Sequence, residues 1–285
     1  MPVARVRSGR LPVKCTPHDQ AGTALADAYP NFDIERDGRV AVLTFTREER
    51  LNALNSQTFR DLIAVADELE SDPEIRVIIL TGRGRAFVAG ADINEYVGIS
   101  MTQYVDFQRL GRRMYDRWES LTKPVIAAVN GFALGGGFEL VLIADIVVAS
   151  EPAKFGLPEC KLGLLPGGGG TQRLPRLVGR NTAKALIMSG DFIPACEAHS
   201  LGIVYKVTPP DELMDTARAL AATIASRAPL AVAMAKELVN RGVDASLPTA
   251  ITQEMGMAST LYASEDAQEG IAAFLEKRPP EFRGR

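Results

Sequence analysis

Val125-Ile126-Ala127-Ala128-Val129, then Asn130-Gly131-Phe132-Ala133-Leu134, then Gly135-Gly136-Gly137-Phe138-Glu139-Leu140: an apolar run and a turn lead into a glycine triplet and an acid. The five-residue apolar run reads as a strand buried on both faces. The triplet is expected to open a short helix over 138–144, and Ile146-Val147-Val148-Ala149 is expected to be the next strand. On the amino-terminal side, 39–46 reads as a strand. Asn55-Ser56 offers a cap for a helix carrying Phe59, Leu62, Ile63, Ala66 and Leu69, and Asp72-Pro73 stops it. Val77-Ile78-Ile79-Leu80 is a second buried strand, followed by a loop over 84–92 and an amphipathic helix over 103–121 that ends at Lys123-Pro124. Strands and helices alternating at this rhythm predict an α/β protein with mainly parallel pairing, in which ligands bind where buried strands end.

From Thr171 onward the apolar spacing becomes helical, with helices expected over 211–227, 229–240, 249–262 and 265–277. Ser264 is a candidate cap, with Glu265 and Asp266 suited to the positive end of the last helix. The apolar faces of this tail need cover, and another subunit or the chain's own core supplies it equally well.

Composition narrows the function. The chain has 285 residues, 46% hydrophobic and 24% charged, with a net charge of −3. Those values suit an ordinary globular enzyme and give no electrostatic case for nucleic acid or an anionic membrane as partner. No apolar run approaches the roughly 20 residues that span a bilayer. Cys15, Cys160 and Cys196 show no paired spacing, which argues against a disulfide framework or a zinc cage and suits a reducing cytoplasm. His18 and His199 are the only histidines, too few for most zinc sites or for a histidine-based triad. Acid–base work then falls to carboxylates. The first 18 residues carry Arg5, Arg7, Arg10 and Lys14 without an acid. They read as an amino-terminal arm, broken by Pro2, Pro12 and Pro17, rather than a mitochondrial transit peptide.

Two glycine-flanked glutamates carry the chemistry: Glu139 after the triplet, and Glu159 in Phe155-Gly156-Leu157-Pro158-Glu159, upstream of Pro166-Gly167-Gly168-Gly169-Gly170. Carboxyls beside close-approach backbone are candidate general acids and bases. The glycines lack nucleotide-loop spacing and the lysine of a phosphate loop. They read instead as an oxyanion hole at the mouth of the helix near Phe138, and the loop over 85–93 is a candidate for a second N–H donor. Asp92 in that loop is expected to cap a helix.

The chain resembles the enoyl-CoA hydratase/isomerase (crotonase) superfamily from about Asn31 to the carboxyl terminus. The resemblance rests on 50–55 (Arg-Leu-Asn-Ala-Leu-Asn), 87–93 (Phe-Val-Ala-Gly-Ala-Asp-Ile), 130–137, 166–174 and the ending over 269–278. It implies a spiral of ββα turns forming two stacked sheets, with a carboxyl-terminal helical trimerisation region. The chain then divides into a leader over 1–30, a spiral core over 31–210 and a helical oligomerisation region over 211–285. The resemblance further implies a homotrimer or a dimer of trimers and an acyl-CoA substrate. No metal or redox cofactor is implied, coenzyme A being part of the substrate. It assigns the thioester carbonyl to the N–H groups of Ala91 and Gly136, water activation to Glu139, proton delivery to Glu159 and water positioning to Gly167. Coenzyme A is expected along Arg50, Leu51, Ala53, Ala89, Asp92 and Ile93, with Phe274 and Lys277 reaching it across subunits.

Both glutamates together point to hydration of a trans-2-enoyl-CoA. A Δ3,Δ2-enoyl-CoA isomerase and a non-catalytic CoA- or RNA-binding member are the alternatives. Val88, Phe138, Asn94 and Tyr96 depart from the common family pattern. Phe138 and Tyr96 are expected either to narrow the acyl pocket or to be packing changes, and the segment over 97–110 is expected to line its acyl end.

Overall fold

Apolar runs become paired strands because each can bury both faces only between helices. The computed structural model describes residues 29–285, so the leader expected over 1–30 lies, through residue 28, outside the described residues. Tyr29 is already packed into the core, and its hydroxyl donates to Glu68 Oε1 at 2.6 Å.

The strands are β1 (Phe32–Asp37), β2 (Val40–Phe45), β3 (Val77–Gly82), β4 (Ala86–Val88), β5 (Val125–Val129), β6 (Phe132–Leu134), β7 (Ile146–Ser150), β8 (Lys154–Gly156), β9 (Ile193–Pro194) and β10 (Lys206–Thr208). Six form one sheet in the order β1-β2-β3-β5-β7-β10, and four form a second in the order β4-β6-β8-β9. β1 with β2 and β8 with β9 are antiparallel; the remaining pairs among the described residues are parallel. In β3/β4, β5/β6 and β7/β8 the first strand joins the large sheet and the second the small one. The chain therefore winds as a spiral of repeating turns, as the sequence implied. The second strand of each pair is only three residues long, below the length at which periodicity is visible.

The helices are α1 (Ser56–Ser71), α2 (Met101–Glu119), α3 (Gly136–Ile143), α4 (Gly170–Val178), α5 (Arg180–Ser189), α6 (Ala195–Ser200), α7 (Leu213–Ala225), α8 (Pro229–Gly242), α9 (Leu247–Tyr262) and α10 (Glu265–Glu276). Asn55 caps α1 as expected, its Oδ1 accepting from Thr58 N–H at 2.8 Å. Ser264 caps α10 in the same way, accepting from Ala267 N–H at 3.1 Å. A reciprocal Ser100–Gln103 capping box starts α2 two residues earlier than its apolar pattern suggested. More consequentially, α3 begins at Gly136 rather than Phe138.

β3 shows why the apolar runs are uninterrupted. Ile78 and Leu80 face the main core with α1 and α2, while Val77 and Ile79 face α7. Ala217, Ala221 and Ala225, spaced four apart on α7, let that helix lie close on the sheet. The tail thus splits: α7 covers the chain's own sheet. α8 and α9 bury no residue within the chain and expose Val239, Val243, Leu247, Ile251, Met255 and Tyr262.

Trp118 locks α2 onto α1. It is fully buried, and its indole N–H donates to the Leu62 carbonyl at 3.0 Å. Trp118→Ala is expected to cost about 3–5 kcal/mol, from lost burial and the cavity left behind. The measurement is the shift in urea midpoint at unchanged m-value.

Candidate active site

Backbone alternation aims the first N–H. Residues 90–92 form a parallel bridge with Leu54: Leu54 N–H donates to the Gly90 carbonyl at 2.9 Å, and Asp92 N–H donates to the Leu54 carbonyl at 2.7 Å. The amide between them, Ala91 N–H, must then face the other side. The second N–H comes from the first turn of α3, where Gly136 has no preceding helical carbonyl. Among the described residues neither N–H has a backbone acceptor. A Cβ built on Gly136 would stand 3.7 Å from the Ala91 nitrogen, so the two donors are neighbours.

Glycine is needed at this turn for two reasons. Gly135 has φ 50° and ψ −124°, a conformation closed to side chains. A Cβ on Gly137 would collide with the Val88 carbonyl, so only glycine lets α3 start against β4. Tyr115, from α2, donates to the Gly136 carbonyl at 2.9 Å and holds the turn from behind.

Glu139 sits in the first turn of α3 and is 3% exposed. Its Oε1 accepts from Gly168 N–H at 2.7 Å and Gly170 N–H at 2.8 Å, both at the start of α4. Burial raises its pKa, opposed by those N–H donors and by Arg173. Arg173 donates to the Gly168 carbonyl at 2.7 Å and pairs with Glu119 at 2.5 Å, fixing the loop that serves Glu139.

Glu159 stands on a short 3-10 turn, Pro158–Leu162. Its Oε1 lies 3.0 Å from where a Gly135 Cβ would be, beside the oxyanion turn. Its Oε2 is enclosed and has no hydrogen-bond partner among the described residues. Burial, with a smaller push from the Glu139 charge, raises its pKa to about 7 against the opposing pull of its own backbone N–H.

One cavity of about 120 Å³, open at one side, unites these groups. Of the residues singled out from sequence, Glu139, Glu159, Ala91, Gly136, Gly167, Ala89 and Ile93 line it. Arg50, Leu51, Ala53 and Asp92 do not line it, although Leu51 is tied to its wall, Ala89 N–H donating to the Leu51 carbonyl at 3.0 Å. Arg47 donates to the Ala53 carbonyl at 2.6 Å and pairs with Asp92 at 3.1 Å. Asp92 also caps the turn at Ile93–Tyr96, the structural role expected of it. Phe274 and Lys277, on and just after α10, are exposed and do not line the cavity of their own chain.

Tyr96 lines the cavity, but Phe138 does not. It is fully enclosed against Phe155, ring centroids 5.6 Å apart, and is a packing change rather than a pocket residue. Tyr104 and Gln108, within the segment singled out over 97–110, line the cavity from α2; sequence reasoning missed Tyr115, which lines it from the same helix, and Arg173 behind it. The signal for Tyr115 was its place on one helix face, one to four residues separating successive members of the series 104, 107, 108, 111 and 115. Among the described residues no cluster of His, Cys, Asp and Glu is placed to hold a metal, and no helix is long and apolar enough to cross a membrane.

The chain belongs to the enoyl-CoA hydratase/isomerase family, whose model matches residues 35–285. It is 47% identical over 257 residues to a short-chain-enoyl-CoA hydratase of Clostridium acetobutylicum, covering 90% of this chain and 98% of that one. A crotonyl-CoA hydratase of Syntrophomonas wolfei is 42% identical over 256 residues, covering 90% and 98%. Among solved structures, an enoyl-CoA hydratase from Bacillus anthracis matches with a TM-score of 0.87 at 39% identity, covering 90% of this chain and all of that one. The two sheets, the spiral winding and the carboxyl-terminal helices are those of the crotonase fold.

The raised pKa of Glu159 has a consequence for stability. Between its ordinary value of 4.5 and about 7 the folded state holds a proton that the unfolded state has lost. Stability therefore falls as pH rises through that window. Glu159→Gln cannot ionise and escapes the loss. Its melting temperature is expected to match wild type near pH 4.5, exceed it increasingly up to pH 7 and keep that margin above. A margin that does not grow with pH would contradict the assignment.

Proposed function

We propose that the protein adds water across the C2–C3 double bond of a trans-2-enoyl-CoA to give a 3-hydroxyacyl-CoA, with the cavity residues in the following roles. The observation that carries this reading is the pair of glutamates facing two free N–H groups in one cavity. The thioester oxygen accepts from Ala91 N–H and Gly136 N–H, which hold the negative charge that builds there as the enolate forms. Glu139, ionised and steadied by Gly168 and Gly170, takes a proton from water while the water oxygen bonds to C3. The C2–C3 π electrons move toward the thioester, and Glu159 delivers its proton to C2. The proton then returns from Glu139 to Glu159 through water. Nothing is oxidised or reduced, so the step requires no redox partner, and coenzyme A enters as part of the substrate.

In this reading Gly167 helps place the water. Arg50, Leu51, Ala53, Ala89, Asp92 and Ile93 border the coenzyme A path, and Phe274 and Lys277 reach it from a neighbouring subunit. The exposed apolar faces of α8 and α9 support assembly into a homotrimer or a dimer of trimers through the region over 211–285, with part of α7 contributing to the core instead. The names of the relatives favour a short acyl group.

Loss of the enoyl-thioester ultraviolet absorbance with crotonyl-CoA is the direct assay. Wild type is expected to turn over, with Glu139→Gln and Glu159→Gln each lowering kcat by about 10²–10⁴-fold. Unaltered turnover in either variant would remove that residue from the mechanism. Rapid use of a 3-enoyl-CoA with little hydration would replace hydratase by isomerase.

The same assay gives a pH profile. The glutamate pair must hold one proton, so kcat/KM is expected to be bell-shaped, with its alkaline limb near pH 7, where Glu159 deprotonates.

A further inference from the structure

α2 runs along the cavity, and its cavity-facing residues do different things at different depths. Tyr115 stands at the reacting end, against the Gly136 carbonyl. Two turns earlier, Gln108 packs its amide on the glycine loop. A Cβ on Gly167 would lie 2.6 Å from Gln108 Oε1 and 2.7 Å from Nε2, whereas a Cβ on the next residue, Gly168, would lie 2.6 Å from Glu139 Oε2. The Glu139 carboxylate, Gly168, Gly167 and the Gln108 amide are therefore successive parts of one wall.

Gln108 is also braced by its neighbours on the cavity wall. Its Nε2 donates to the Tyr104 hydroxyl at 2.7 Å. The Tyr104 ring meets Tyr96 edge-on, centroids 5.4 Å apart, and Tyr96 meets Phe107 at 5.2 Å. Phe107 in turn packs on Phe59 at 5.2 Å. A side chain held by a hydrogen bond at its tip and by an interlocked aromatic cluster at its base does not swing aside for a ligand.

We propose that Gln108, held by Tyr104 against Gly167, is the end wall of the acyl pocket and restricts the enzyme to short 2-enoyl groups. This rests on the reading of the reaction given above. With C1 fixed at the two N–H groups and C3 at Glu139, the chain beyond C3 is carried past the glutamates along that wall, and the Gln108 amide blocks it. An alkyl chain that reaches it must either displace a braced side chain or stop short. Each methylene refused by a close-fitting pocket is worth about 10–200-fold in specificity.

The test compares kcat/KM for trans-2-butenoyl-, hexenoyl- and octenoyl-CoA in wild type, Gln108→Ala and Gln108→Leu. Wild type is expected to favour butenoyl over octenoyl by about 100-fold or more. Gln108→Ala opens the wall and raises the octenoyl-to-butenoyl ratio at least about tenfold, whereas Gln108→Leu keeps the bulk and leaves the ratio within about threefold. An unchanged ratio in the alanine variant, equal shifts in both variants, or a wild type indifferent to chain length overturns the proposal. Calorimetric binding of butyryl-CoA and octanoyl-CoA to the same three proteins separates this failure from failure of the hydratase reading. A selective gain of octanoyl-CoA affinity in Gln108→Ala supports the wall even if no 2-enoyl-CoA is hydrated. The absence of such a gain overturns it.

Discussion

The hydrogen bonds from Gly168 and Gly170 N–H to the Glu139 carboxylate are the constraint on which the site depends. A carboxyl at 3% exposure must be satisfied from within the protein or protonated. Here the donors come from a loop thirty-odd residues further along the chain, so meeting that need fixes the 166–170 loop against α3. Arg173 tightens the arrangement by holding the Gly168 carbonyl and Glu119 together. The loop in turn carries Gly167, against which the Gln108 amide rests. One buried acid thereby organises the glycine loop, the start of α4 and the inner face of α2.

The two glutamates are chemically alike and placed unlike. Glu139 has two backbone donors and a nearby guanidinium, all favouring its charged form against burial. Glu159 has an enclosed oxygen with no partner, and burial leaves it half-protonated near neutral pH. Opposed environments for a pair of carboxyls are the arrangement by which one serves as base and the other as acid. The stability forgone at Glu159 above pH 4.5 belongs to that arrangement, because a hydrogen-bond donor to its free oxygen would lower its pKa.

Legibility in the sequence follows the range of the forces involved. The strands at 77–82 and 125–129 were readable because an apolar run that long has few other uses. Asn55 and Ser264 were readable because capping involves only the next three residues. The start of α3 was displaced by two residues, since glycine has poor helix propensity and the turn is held from distant elements, Tyr115 at the Gly136 carbonyl and β4 against Gly137. For Phe138 the sequence left pocket residue and packing change both open, and only the fold turns its side chain to Phe155. Tyr115 carried no separate signal within the amphipathic pattern over 103–121, because the Gly136 carbonyl it meets comes from a distant element.

Taken alone, the amino-acid sequence determined the α/β layering through local periodicity, and the pairing of two glutamates with glycine-rich backbone and the family through contiguous motifs, the spiral winding being what that family resemblance implied. Tertiary structure alone decided which N–H groups remain free, which glutamate is satisfied and which is not, and how the inner face of α2 meets the glycine loop. Each of those depends on groups brought together from distant elements: Leu54 turning Ala91 outward, Gly168 and Gly170 reaching Glu139, and Gln108 meeting Gly167. Burial and hydrogen-bond satisfaction are properties of the closed fold, and no stretch of chain carries them until the sheets have wound.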